Sequence, residues 1–96
     1  MIVVLVGVIS VKLFIPASHS LKDKRRVVKS LITRLQNKFN VSAAEVGELE
    51  QWQVAEIGVA LISNETKILH QQISRIISFI EVGNEYEIIN ISSEIM

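Results

Sequence analysis

No cysteine occurs anywhere in the chain, which excludes disulfide staples, zinc–thiolate centres and thiol chemistry. Extracellular domains of this size commonly rely on disulfides, so the composition points to a reducing cytoplasm. There is a single proline and a single tryptophan, and the four glycines are scattered. Neither a P-loop nor a G-x-G-x-x-G fingerprint can be drawn through them. The two histidines, His19 and His70, stand far apart. Without a His-x₃-His pair or a nearby acidic partner set, no metal site or other cofactor is expected. The longest apolar stretch, Ile2 to Ile15, lacks the basic start and small-residue cleavage site of a secretion signal. Ser10 and Lys12 interrupt it well short of the roughly 20 residues a membrane span needs, so no membrane role is expected.

What the chain does have is a run of cations on one segment. Ser18 to Phe39 reads as an amphipathic helix. Ser20 is a good N-cap candidate, with Asp23 three places on in the position of a capping-box acid, and Ser18 is the competing cap one turn earlier. Leu21, Val28, Leu31, Ile32, Leu35 and Phe39 recur at helical spacing and define the face to be buried, and Asn40 is a candidate stop. Lys22, Lys24, Arg25, Arg26, Lys29, Arg34 and Lys38 lie on the same segment against one acid, Asp23. Lys22, Arg25, Arg26 and Lys29, spaced i, i+3, i+4, i+7, share one flank. Lys24 falls close to the apolar stripe, where it is expected to bury its stem and reach water with its head.

The zero net charge hides a division. Residues 1–40 carry eight Lys/Arg and one acid, whereas residues 41–96 carry two and nine. Either the basic half meets an anionic partner or the two halves neutralise each other within the fold.

The remaining chain alternates between strand and helix signals. Ile2 to Ile15 is rich in Val, Ile and Leu and reads as a long central strand. Val41 to Val46 is a weaker strand, Gly47 to Gln51 an acidic loop, and Trp52 to Ile62 a clear strand. Leu69, Ile73, Ile76, Ile77 and Ile80 mark a second helix, with Ser63 and Asn64 as its caps and Gly83-Asn84 as its stop. Tyr86 to Ile95 is the last strand, with Ile89, Ile91 and Ile95 on one face and Asn90, Ser92 and Glu94 on the other. The order is that of a single ferredoxin-like α+β domain over residues 1–96: βαββαβ, with two helices on one face of a four-stranded antiparallel sheet.

Such a sheet leaves one face bare. Val4, Val6, Val8, Val54, Ala60, Ile62 and Ile88 are assigned to it, and an apolar area of that kind predicts a homodimer packed sheet to sheet. Aliphatic rather than aromatic side chains on its central strands argue against base stacking there. Trp52 is either a lid on the core or an anchor for a partner. The turn Ser18-His19-Ser20 precedes the first helix and is a candidate anion site. Ser18 and His19 do not make a catalytic set, since a triad also needs an orienting carboxylate and an oxyanion hole. No catalytic residue is assigned, and the chain is not expected to be an enzyme.

The run Pro16-x-Ser18-x-Ser20-Leu21-Lys22-Asp23-Lys24-Arg25, with Phe39-Asn40-Val41-Ser42, Ala44-Glu45, Trp52 and Gly58, resembles the YlxP-like family of small bacterial proteins, a domain of unknown function. The resemblance covers nearly the whole chain. It implies a ferredoxin-like fold and no established activity. The genes of that family often lie beside those for translation factors and ribosome maturation, which implies contact with RNA. Together these readings predict a cytoplasmic, ribosome-associated protein that binds RNA or a ribonucleoprotein through Lys22, Lys24, Arg25, Arg26, Lys29, Arg34 and Lys38. The alternative is a protein-interaction or assembly module that docks by its bare sheet face or its acidic second half.

Overall fold

The computed structural model describes residues 2–96. The elements are β1 (Leu5–Phe14), α1 (Leu21–Lys38), β2 (Ser42–Gly47), β3 (Val54–Ser63), α2 (Thr66–Glu81) and β4 (Glu87–Ile95). They build one antiparallel sheet in the order β2-β3-β1-β4. This is the ferredoxin-like α+β arrangement, with the first and third strands central.

Period-two alternation sorts the central strands between two faces. Ile9, Val11 and Leu13 of β1 and Ala55, Ile57, Val59 and Leu61 of β3 are buried beneath the helices. Val27, Val28, Leu31 and Leu35 of α1 meet them, as do Leu69, Ile73, Ile76 and Ile80 of α2. Gly7 lets α2 approach β1, because a Cβ there would sit 3.2 Å from both Ile73 Cδ1 and Leu61 Cδ2.

The first helix begins as its sequence dictates. Ser20 Oγ accepts the Asp23 amide at 3.0 Å, and the Asp23 carboxylate accepts the His19 amide at 3.0 Å. Its C-cap is Phe39, in extended conformation, rather than Asn40. The second helix departs from expectation at its start. Glu65, not Ser63 or Asn64, is the N-cap and makes no side-chain cap bond. Ser63 Oγ instead accepts the Glu65 amide at 3.1 Å, one residue outside the helix.

The C-terminus of α2 is closed by a side chain. The hydroxyl of buried Tyr86 donates to the Ile80 carbonyl at 2.6 Å, which also accepts the Gly83 amide at 3.1 Å. Gly83 permits this, because a Cβ there would overlap the Tyr86 phenol. Burial pushes the Tyr86 phenol above its ordinary pKa of 10.0, helped by Glu85 and opposed by Arg34. A raised folded-state pKa stabilises the neutral form, so this contribution is complete below pH 10.0 and fades as pH rises through the folded-state value. Tyr86→Phe is expected to cost about 1 kcal/mol at neutral pH. In urea melts between pH 8 and 11, the gap between variant and parent should narrow at the alkaline end.

The last strand corrects its sequence assignment. Lys12 pairs with Asn90 but Leu13 pairs with Ile88, so a bulge at Ile89 switches the facing of β4. Ile88, Ile91 and Ile95 pack against the core, and Ile89 is exposed. Ile88 therefore does not belong to the bare face.

Candidate nucleic-acid interface

The buried stripe of α1 has a lysine at its centre. Lys24 is 1% exposed, among Val27, Val28, Leu31 and Leu35. Its Nζ lies 2.9 Å from Glu45 Oε2 and donates to the carbonyls of Glu48 at 2.9 Å and Val54 at 3.2 Å. Two ammonium protons go to carbonyls, and the Glu45 carboxylate is held as an ion pair. Glu45 Oε2 is buried and has no hydrogen-bond partner among the described residues, so the charge of the lysine is its compensation. The expectation that Lys24 reaches solvent and touches phosphate is thus corrected. The helix face it occupies turns toward the sheet, and β2 supplies a carboxylate at the point of burial. Glu45 projects there because β2 places Ala43 and Glu45 opposite the buried Val59 and Ile57.

The loop after β2 is held from both sides. Glu48 has φ 59°, a left-handed conformation that costs a non-glycine residue about 1–2 kcal/mol. Its carbonyl accepts from Lys24 Nζ and from the Gln51 amide, and its carboxylate pairs with Lys12 at 3.1 Å. The acids of the second half that form ion pairs therefore serve Lys12 and Lys24.

The cations on the outer side of α1 are left free. Lys22, Arg25, Arg26 and Lys29 are all exposed, and among the described residues none has a carboxylate within ion-pair distance. They are spread over the side of the cylinder opposite the buried stripe. Arg34 is also exposed, with Nε 3.4 Å from the Ser30 carbonyl, and its charge reaches Tyr86. Lys38 sits over the Phe79 ring at 5.3 Å. Arg75 of α2, absent from the sequence-derived set, lies over Phe39 at 5.9 Å and brings a further cation to that end of the helix pair. The two phenyl rings stack edge to face at 5.7 Å.

The turn before α1 does not gather an anion site. Ser18 is 2% exposed, and its hydroxyl donates to the Trp52 carbonyl at 2.6 Å and lies 3.0 Å from the Ser20 carbonyl. Ser20 is engaged as the N-cap, and the His19 amide already faces the Asp23 carboxylate. A negative charge of the chain itself occupies the position an incoming anion would take. Only the His19 side chain of the three is exposed.

The bare sheet face is divided rather than continuous. Val6 pairs with Ile62 and Val8 with Ala60, making an apolar block, and Val4 precedes β1 as an exposed residue. Ser10–Gly58 and Lys12–Glu56 follow, and only then the Phe14–Val54 pair. Val54 is thus separated from the block by a polar row. Phe14, passed over in the sequence-based assignment of this face, is its aromatic member. His70 lies on the exposed side of α2 beside Gln71 and Gln72. Among the described residues, no helix is long and apolar enough to cross a membrane, and no three His, Asp or Glu side chains gather as a metal site.

The family model described as "Protein of unknown function (DUF503)" matches residues 6–93. The chain belongs to this family. The Bacillus subtilis (strain 168) member described as uncharacterized protein YlxP is 36% identical over 83 residues, covering 86% of this chain and 90% of that one. The family description assigns no activity, so the reading of function rests on the side chains described above.

Proposed function

We propose that this family member is a cytoplasmic, ribosome-associated binding protein rather than an enzyme, and that it holds structured RNA or a ribonucleoprotein against the outer side of α1. One observation carries this reading. Lys22, Arg25, Arg26 and Lys29 stay exposed without carboxylate partners among the described residues, while Glu45 and Glu48 are engaged elsewhere. Unpaired cations on one helix can each neutralise a phosphate, and the counterions they displace drive association. Crosslinking the protein to RNA in cells tests the proposal, with Arg25→Glu/Arg26→Glu as control. Crosslinks should form with the parent and disappear with the control.

A second reading concerns assembly. Ile62 is 70% exposed where it pairs with Val6, and Val4, just before β1, is 62% exposed. Homodimerisation through this block would leave both α1 helices facing outward and double the cationic footprint. Val6→Asp is expected to shift the protein to monomer in sedimentation velocity without loss of its helical circular dichroism. An unchanged sedimentation coefficient would remove the dimer.

A further inference from the structure

Trp52 is a large aromatic left in solvent. It is 58% exposed and lies outside the core cluster, so it is not the lid that one reading of the sequence makes it. Its backbone is nevertheless tied down. The Ser18 hydroxyl donates to the Trp52 carbonyl at 2.6 Å, and the Ile15 amide donates to the Gln53 carbonyl at 2.7 Å. Gln53 Nε2 donates to the Pro16 carbonyl at 3.2 Å. The backbone that carries the indole thus needs little ordering when a ligand arrives.

Beside it opens a cleft of about 460 Å³ lined by Phe14, His19, Glu50, Gln51, Trp52 and Gln53. That volume suits one small heterocycle. The aromatic rings offer stacking faces, and the carboxamides and carboxylate offer donors and acceptors to the edge of a base. His19 places the cleft at the start of α1, with Lys22, Arg25 and Arg26 in the first two turns beyond it.

We infer that this cleft receives one unpaired base of the bound RNA strand, whose flanking phosphates run along the cations of α1. The inference rests on the RNA reading above and adds to it a position and a ligand class. It also relocates base stacking from the centre of the sheet, where aliphatic residues stand, to its margin. A neutral peptide fits the aromatic rings as well, but it carries no charge for the unpaired cations of α1.

The chain has one tryptophan, so its fluorescence reports on this cleft alone. The full chain is titrated with a ten-nucleotide uridine RNA and with an abasic sugar–phosphate strand of the same length. Intact RNA should quench Trp52 saturably and bind about tenfold more tightly than the abasic strand, as expected for one stacked base. Trp52→Ala should lose that advantage while keeping the parent's salt dependence and its affinity for the abasic strand. Trp52→Phe should keep most of the advantage. Arg25→Glu/Arg26→Glu should weaken both strands. If RNA binds with salt-sensitive affinity, yet Trp52 is not quenched and Trp52→Ala binds as the parent does, the base site is overturned and the α1 reading stands. If neither strand binds, the α1 reading falls and this inference falls with it.

Discussion

Lys24→Met is expected to destabilise the fold more than any single change on the surface of α1. The substitution removes the one ion-pair partner of a buried Glu45 oxygen among the described residues, and two protons from the Glu48 and Val54 carbonyls. Breaking a buried pair by deleting one partner typically costs about 3–5 kcal/mol, because the remaining charge stays in low dielectric. Total stability of a domain this size is commonly about 5–15 kcal/mol, so the loss is a large share. At roughly 4–8 °C per kcal/mol, the melting midpoint should fall by more than ~10 °C.

Lys24→Met/Glu45→Leu should recover most of that loss, since two apolar side chains of similar volume replace the pair without leaving a charge behind. A residual deficit of about 1 kcal/mol is expected from the Val54 carbonyl, which loses its lysine donor, whereas the Glu48 carbonyl keeps the Gln51 amide. Urea midpoints of the parent, both single variants and the double variant give the coupling directly. A double variant as unstable as Lys24→Met alone would show that the lysine acts through something other than Glu45.

The βαββαβ order was legible because each element announces itself locally. The stripe Leu69, Ile73, Ile76 and Ile80 needs only helical spacing, and the alternation of Ile57, Val59 and Leu61 needs only strand spacing. Ser20 and Asp23 declared the start of α1 in the same way. What stayed hidden depended on contacts between distant segments. Lys24 fell near the apolar stripe in the sequence, but whether it reaches water or a carboxylate depends on the facing of β2. The signal was available in Ala43 and Glu45, which share the parity of a core-facing strand. A glutamate on that face calls for a cation opposite.

Ile88 was misassigned because one extra residue at Ile89 inverts the alternation of β4, and nothing in its composition marks a bulge. The anion-site set Ser18, His19 and Ser20 failed for a related reason. The Ser18 hydroxyl is taken up by the carbonyl of Trp52, which lies beyond the whole of α1 and β2 in the chain. The exposure of the basic flank was legible because exposure on a helix follows from spacing alone. Arg75 was missed because a single cation on α2 carries no pattern. Only the packing of the helices sets it over Phe39 and near Lys38.

Arg25→Glu/Arg26→Glu is the second change of large expected effect, and it acts on binding rather than on folding. Both side chains are exposed and make no ion pair among the described residues, so reversal should leave the urea midpoint within about 0.5 kcal/mol of the parent. Each lost phosphate contact lowers the salt slope by about 0.7–0.9, and the two introduced carboxylates repel the backbone as well. An affinity loss above ~100-fold at 0.1 M salt is therefore expected, with the log–log slope reduced by about 1.5.

The central claim is that the free cations of α1 meet a polyanion, and salt titration of RNA affinity for the parent and the Arg25→Glu/Arg26→Glu variant tests it most directly. A steep parental slope that collapses in a variant still folded by urea melt is the predicted result. Equal affinity and equal slope for the two proteins would contradict it.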